Sequence, residues 1–173
     1  MVYVTHQMGE ALAIADLALV LERGRTFASG PPSEVLKAPA LLAGEARYEN
    51  ILVGTLEQGP PHRLRLSTGG ALVVPLFPGM VPGERCAFSV CAEDVLLAAG
   101  PVGLISARNV LPGTLLGVEQ VGPEDALARI DCGGAPWIAR LTLESARELA
   151  LVEGKEVLLI VKTHSLRPLR HRP

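Results

Sequence analysis

Residues 50–56 read Asn-Ile-Leu-Val-Gly-Thr-Leu, and residues 109–115 read Asn-Val-Leu-Pro-Gly-Thr-Leu. Two further stretches match in the same order along the chain: residues 68–71 with residues 132–135, and Gly83 with Gly154. Self-similarity that keeps its order indicates an internal repeat. The sequence therefore predicts two related copies, the first over residues 46–100 and the second over residues 101–169.

Each copy is predicted to consist mostly of β-strands. Short apolar runs separated by Gly and Pro indicate these strands: residues 71–75, 86–90, 137–141 and 157–162. With 18 Gly, 14 Pro and only 3% aromatic residues, the chain suits small aliphatic cores with many turns. An insertion in the second copy, residues 142–150, is predicted to form a short helix with Thr142 as its N-cap. The predicted fold is mainly β, with two small five-stranded barrels in tandem.

The first 40 residues have a different pattern, which is typical of a short α/β segment. The predicted elements are a buried strand (residues 2–5), a helix (8–15), a hairpin (17–21 with 26–29) and a short helix beginning at the prolines 31 and 32. Residues 41–45 are expected to form a linker. At the other end, the proline-interrupted residues 167–173 are expected to fray, with residues 170–173 as a tail.

Composition and charge exclude several classes of protein. The net charge of −2 provides no positive field for a nucleic acid backbone, so nucleic acid is not an expected partner. The three cysteines, Cys86, Cys91 and Cys132, form no CxxC pair, and an odd count argues against a disulfide framework. The sequence has no signal-peptide pattern and no long apolar stretch. We therefore expect a soluble protein of a reducing, cytoplasmic compartment.

The second copy carries cations and hydroxyls at two places that a barrel is expected to bring together. Residues 106–109 read Ser-Ala-Arg-Asn, and Lys162 and Thr163 follow an apolar strand. Arg108 and Lys162 would supply positive charge. The hydroxyls of Ser106 and Thr163, together with backbone N–H groups, would supply the donors that a tetrahedral dianion needs. The alternative is that these residues are merely solvated at the ends of strands.

These motifs resemble the molybdenum-pterin-binding (Mop) domain, a TOBE-type module with an OB-like fold. The likeness covers about residues 104–168 and rests on Ser-Ala-Arg-Asn, then Leu-Pro-Gly, then Lys-Thr after a strand. It implies that molybdate is bound at interfaces between copies or subunits. Carried over position by position, it implies an oxyanion site made of Ser106, Ala107, Arg108, Asn109, Thr142, Lys162 and Thr163. Thr163 stands where the family usually has Ser, and the hydroxyl is retained.

The first copy lacks these cations. Residues 47–50 read Arg-Tyr-Glu-Asn in place of residues 106–109, and residues 91–92 read Cys-Ala in place of Lys-Thr. Because the carboxylate of Glu49 would repel an anion, the first copy is expected to be a structural partner. The alternative is that it lines a shared site.

Residues 2–11 carry a separate resemblance, to the switch-histidine region of ABC-transporter ATPases. It implies that His6 contacts the γ-phosphate of ATP, whereas a lone histidine after a strand is otherwise more often structural. The sequence has no G-x-x-x-x-G-K-[ST] loop, no acidic Walker-B strand and no signature motif. Residues 1–40 are therefore expected to be a remnant of an ABC ATPase domain, in a fragment with neither a nucleotide site nor catalytic activity.

The remaining candidates for function are three histidines and the single tryptophan. His62, His164 and His171 lack metal-ligand spacing and are expected to lie in solvent, so no metal site is predicted. Trp137 is expected to fill the core of the second barrel or an interface.

Together, the two resemblances indicate a module that binds molybdate or tungstate, as the regulatory C-terminal part of an importer ATPase subunit. They imply a homodimer in the cytoplasm, peripheral to the inner membrane, that reaches a transporter membrane subunit only through a complete ATPase. The alternative is a TOBE scaffold without a ligand, which braces subunit contacts in an importer ATPase for another solute. The cations of the second copy favour the first interpretation, and the degraded first copy favours the second.

Overall fold

The chain divides into two structural units: residues 1–47 with 171–173, and residues 48–170. The computed structural model describes residues 2–4, 11, 15–22, 24–35 and 48–169. Four of the sequence predictions lie wholly or mainly outside the described residues: His6, the helix over residues 8–15, the linker over residues 41–45 and the tail over residues 170–173. Of that helix, the structure retains one helical hydrogen bond, from the amide of Ala15 to the carbonyl of Ala11 at 3.1 Å.

The first unit contains a hairpin and a short helix. Strands β1 (Ala18–Glu22) and β2 (Arg25–Gly30) pair antiparallel. Gly24 in the turn between them has a φ of 77°, a conformation that favours glycine. The helix Pro32–Val35 follows directly, and proline is tolerated there because the first turn of a helix has no bond for its missing N–H. The predicted hairpin and the predicted short helix are confirmed.

The predicted strand over residues 2–5 is wrong for residues 2–4, which have no regular secondary structure. Val2 and Val4 are 93% and 90% exposed. Residues 2–4 belong to none of the sheets formed by the described residues.

The second unit is built from ten strands, five in each copy. The first copy contains β3 (Glu49–Glu57), β4 (Arg63–Leu66), β5 (Ala71–Val73), β6 (Arg85–Cys91) and β7 (Val95–Ala98). The second copy contains β8 (Asn109–Gln120), β9 (Asp125–Cys132), β10 (Ala135–Thr142), β11 (Glu156–Val161) and β12 (Arg167–Leu169). The helix Leu143–Glu148 lies in the predicted insertion, and the hydroxyl of Thr142 accepts a hydrogen bond from the amide of Ser145, as a cap does. The repeat, the mainly β fold and the capped helix are confirmed.

The two copies exchange their last strands. One sheet has the order β12-β6-β3-β4-β5, and the other has the order β7-β11-β8-β9-β10. The two orders match strand for strand, but β7 of the first copy pairs with β11, and β12 of the second copy pairs with β6. Each five-stranded sheet therefore contains one strand of the other copy. The prediction that residues 167–173 fray is wrong for Arg167–Leu169, because β6 provides these residues with a pairing partner.

The hydrophobic core is shared by both copies. Its largest fully buried side chains include Leu56, Leu64 and Phe88 from the first copy, and Leu115, Ile130, Trp137 and Leu159 from the second. Burying each such side chain contributes roughly 1.5–3 kcal/mol. Trp137 is 1% exposed, which confirms that it belongs to the core.

The glycine of the repeated motif marks a close approach between strands in both copies. A Cβ atom on Gly54 would lie 2.1 Å from the carbonyl oxygen of Arg65. On Gly113, the matching position, it would lie 2.6 Å from the Cγ2 atom of Ile130. Only glycine fits at this step of the first strand of each copy.

The described residues include no helix that is both long enough and apolar enough to cross a membrane. Within the same part of the chain, no group of three or more His, Cys, Asp or Glu side chains is placed to hold a metal ion.

Candidate functional site

Two cations of the second copy lie side by side at the ends of paired strands. Strands β8 and β11 are antiparallel, and their last pair is Asn109 opposite Val161. Arg108 and Lys162 each lie one residue beyond this pair, and both are exposed. We call Ser106, Ala107, Arg108, Lys162 and Thr163 the second-copy end. The register of the strands brings these sequence-predicted residues together.

The second-copy end is positively charged and has an unused donor. Within the described part of the chain, neither Arg108 nor Lys162 forms an ion pair. Thr163 begins a 3-10 turn, Thr163–Ser165, and its buried Oγ1 atom has no hydrogen-bond partner among the described residues. Since a buried hydroxyl normally has a partner, this atom is available to a ligand or a water molecule. The arrangement suits an anion that accepts hydrogen bonds.

Asn109 is placed beside the second-copy end, but its side chain is turned toward the first copy. It is 3% exposed. Its Oδ1 atom accepts a hydrogen bond from the amide of Val73 at 2.7 Å, and its Nδ2 atom donates to the carbonyl of Val73 at 3.0 Å. Both polar atoms of the side chain are therefore engaged with β5 of the first copy in this structure.

Thr142 is not brought to the second-copy end by any contact in the described structure. Its hydroxyl accepts from the amide of Ser145 and donates to the Ser145 Oγ atom at 2.9 Å. It lines a cavity of about 360 Å³ together with Glu93, Asp125 and Arg140. The two bonds to Ser145 occupy the hydroxyl of Thr142 as a helix cap. The carboxylates of Glu93 and Asp125 make the cavity unfavourable for a further negative charge.

The corresponding place in the first copy has no free positive charge among the described residues. Glu49 pairs with Cys91 across β3 and β6, where the second copy has Arg108 and Lys162. We call Glu49, Cys91 and Ala92 the first-copy end. This register confirms which residues stand in place of the cations.

Arg140 pairs with Glu93, which directly follows the first-copy end, and its positive charge is neutralised. It donates to Asp125 at 2.7 Å and to Glu93 at 3.3 Å. The hydrogen bond to Asp125 raises the pKa of Arg140 above its usual value. Burial raises the pKa of Tyr48, which lies in the field of the same arginine. The cavity beside Arg140 therefore holds an internal ion pair rather than an open anion site.

From the sequence, His62 is expected to lie in solvent, and this expectation is wrong. It is half-buried, and its buried Nδ1 atom has no hydrogen-bond partner among the described residues. Its carbonyl accepts from the amide of Val74 at 3.0 Å, one residue from the contact with Asn109. The available signal was the alternation of exposed and buried residues over Arg63–Leu66, which places His62 on the buried face. His164 is exposed as expected, and His171 lies outside the described residues.

Comparisons with known proteins agree with this geometry. Residues 105–167 match the family model of the TOBE domain. The chain is 36% identical over 173 residues to the molybdenum import ATP-binding protein ModC of Rhizobium meliloti (strain 1021), an alignment that covers 95% of this chain and 47% of that protein. It is 34% identical over 172 residues to ModC 2 of Azotobacter vinelandii, covering 96% of this chain and 48% of that protein. The chain thus spans about half the length of these relatives.

A solved structure supports the fold as well. The cytoplasmic molybdate-binding protein ModG, with molybdate bound, superposes with a TM-score of 0.61 at 25% identity, covering 71% of this chain and 96% of that chain. This likeness confirms the predicted OB-like tandem. The chain is therefore similar to the C-terminal part of the molybdenum import ATP-binding proteins, and its residues 105–167 match the TOBE domain.

Proposed function

We propose that the second-copy end binds molybdate or tungstate. One observation carries this proposal: Arg108 and Lys162 lie beside each other on paired strands, exposed and without an acidic partner among the described residues. The molybdate named for ModG and the molybdenum import named for the ModC relatives support the choice of oxyanion. The role is one of binding rather than catalysis, and no nucleotide is expected as a ligand of this chain.

The proposed mechanism is electrostatic. A molybdate dianion only accepts hydrogen bonds, and removing it from water costs free energy that nearby cations offset. Arg108 presents a planar fork of donors, and Lys162 contributes a compact positive charge. The hydroxyls of Ser106 and Thr163 and the backbone N–H of Ala107 orient the oxygens. Asn109, whose polar atoms are bonded to Val73, supports the site from outside it, and Thr142 caps the helix Leu143–Glu148.

A second copy of the chain is proposed to complete the site. The side chains of Arg108 and Lys162 are exposed, so they contact an anion from one side and leave its other oxygens open. Two facing second-copy ends would repel each other, and a dianion between them would remove that repulsion. We therefore propose a homodimer, located in the cytoplasm and brought to the membrane only as part of a complete importer ATPase. In that setting, molybdate occupancy would report the intracellular oxyanion level to the transporter.

Isothermal titration with molybdate tests this function, with tungstate, sulfate and phosphate as competing anions. The test variant is Arg108→Ala with Lys162→Ala. The control is Arg85→Ala with Arg147→Ala, which removes the same charge from two exposed arginines away from the second-copy end. We expect saturable molybdate binding in the wild type and in the control, and a loss of at least 100-fold in the test variant. Equal affinity in the test and control variants would contradict the proposed site.

The second candidate function is a TOBE scaffold without a ligand. The ion pair that Arg140 of the second copy forms with Glu93 of the first favours it, because this pair braces the contact between the copies without any anion. It predicts no heat at millimolar molybdate. That result in the wild type would make the scaffold the better interpretation.

A further inference from the structure

Two asparagines join the copies by reciprocal contacts. Asn109 of the second copy bonds both backbone groups of Val73 on β5. Asn50, at the matching position of the first copy, accepts from the amide of Ile138 on β10 at 2.7 Å and donates to its carbonyl at 2.9 Å. Each asparagine thus clamps the backbone of one residue in the other copy.

The chemistry of the side chain explains why asparagine serves here. β5 and β10 are the terminal strands of the two sheets, so one side of each lacks a neighbouring strand. An asparagine amide offers an acceptor and a donor side by side, which reproduces the backbone groups of a pairing residue. Both side chains are buried, at 5% and 3% exposure, so losing either would leave unpaired polar groups out of reach of water.

The clamps are alike, but among the residues that the structure describes only Asn109 lies next to free cations. Asn109 directly follows Arg108, and Val161 opposite it directly precedes Lys162. Asn50 directly follows Glu49, and Val90 opposite it precedes Cys91. The bonds to Val73 therefore fix the backbone of the strand end from which Arg108 projects. The bonds to Ile138 fix an end that carries no cation.

We infer that Asn109 is the positioning residue of the oxyanion site and that its clamp on Val73 couples anion binding to the contact between the two copies. This inference rests on the proposed function. Asn109 does not touch the anion. It holds the backbone at Arg108 against β5 of the first copy, so that Arg108 and Lys162 face one point. Anion binding in turn stabilises the clamp, because linkage between two sites is reciprocal.

The matched pair Asn109→Ala and Asn50→Ala separates positioning from general stability. Asn109→Ala loses two hydrogen bonds to the other copy, and Asn50→Ala loses the two equivalent bonds together with a longer bond of 3.4 Å to the carbonyl of Val90 in its own copy. We therefore expect the urea midpoint of unfolding to fall at least as far in Asn50→Ala as in Asn109→Ala. Only Asn109→Ala should weaken molybdate binding, by at least tenfold in isothermal titration at a temperature where both variants are folded, and Asn50→Ala should change it less than twofold. Equal affinities in the two variants would overturn the inference, whereas absence of binding in the wild type would instead overturn the proposed function.

Amide hydrogen exchange in the unmodified chain provides a readout that does not depend on the folding of a variant. The amide of Val73 donates to Asn109, and the amide of Ile138 donates to Asn50, so the two amides are matched reporters. Saturating molybdate should slow exchange at Val73 at least fivefold more than at Ile138. Equal protection of the two amides, or protection of Ile138 alone, would refute the coupling.

Discussion

The first-copy end and the second-copy end occupy equivalent places in one repeated scaffold, yet only the second presents free positive charge among the described residues. Both lie at the paired ends of the first and fourth strands of a copy, and both are followed by a 3-10 turn. The second-copy end has Arg108 and Lys162, whereas the first-copy end has Glu49 and Cys91. The comparison teaches that the strand framework creates the location of a site, and that a few side chains at strand ends decide whether it binds an anion.

The neighbourhood of each end reinforces this difference. Thr163 has an unpartnered hydroxyl, while Ala92 at the matching position is fully buried and apolar. Near the first-copy end, Arg140 is held by two carboxylates. This arginine of the second copy is therefore occupied by ion pairs, one of them with Glu93 of the first copy, which fits the expected role of the first copy as a structural partner.

The largest expected effect on stability comes from the glycine that the two copies share at matching positions. Gly54→Ala should lower the free energy of unfolding by about 3 kcal/mol, because the new Cβ atom would overlap a backbone oxygen that cannot rotate away. Gly113→Ala should cost less, about 1–2 kcal/mol, because its nearest obstacles are the side chains of Ile130 and Cys132. Urea unfolding measures both values. Gly117→Ala, with nothing within 4 Å, is the control, and a loss there as large as at Gly54 would show that packing is not the cause.

The next largest effect is on molybdate affinity and comes from the two cations that distinguish the second-copy end from the first-copy end. The double variant Arg108→Glu with Lys162→Cys gives the second-copy end the two residues that the first-copy end has at the matching positions, Glu49 and Cys91. Two lost charge-assisted bonds of about 1.5 kcal/mol each correspond to a loss of at least 100-fold in molybdate affinity. Adding Glu49→Arg and Cys91→Lys to this variant should not restore the affinity, because Ala92 supplies no hydroxyl and Glu93 remains nearby. Full recovery in isothermal titration would mean that the two cations alone make the site.

Much of the scaffold could be predicted from the sequence because the repeat reveals itself residue by residue. The aligned motifs located β3 and β8, and a hydroxyl before an amphipathic stretch located the helix capped by Thr142. The exchange of β7 and β12 could not be predicted, since the residues of these short strands suit pairing with either copy. The pairing partner of such a strand depends on the path of the chain in space, and short-range sequence patterns do not determine that path.

The candidate site shows the same limit. Arg108 and Lys162 were identifiable through the resemblance to the Mop domain, because from spacing alone these cations could equally be solvated residues at the ends of strands. Asn109 was grouped with them because it is their neighbour in sequence, but its partner is the backbone of Val73, and backbone groups carry no sequence signal. The half-buried position of His62 follows from the alternation of exposed and buried residues in the strand Arg63–Leu66, a signal that a histidine considered by itself does not carry.

The smallest expected effect comes from Cys132, which stands where the first copy has Thr68. It lines a cavity of about 230 Å³ between the copies, together with Trp137. Burial, aided by the charge of Asp131, raises the pKa of the Cys132 thiol from 9.0 to about 12. At pH 9 an ordinary thiol is about half ionised, so Cys132 should react with iodoacetamide far more slowly than a thiol in the unfolded chain.

The same shift makes stability depend on pH in a defined direction. Because the pKa is raised in the folded state, the unfolded chain releases the proton first, and the free energy of unfolding falls as the pH rises from about 9 toward about 12. Urea midpoints at pH 8 and pH 10.5 measure this fall, and Cys132→Ala should reduce it. Tyr48 and Cys86, whose pKa values are also raised, are present in both proteins, so the difference between the two slopes isolates Cys132. An unchanged slope in the variant would mean that the thiol at the junction of the copies is not shielded from water as the structure indicates.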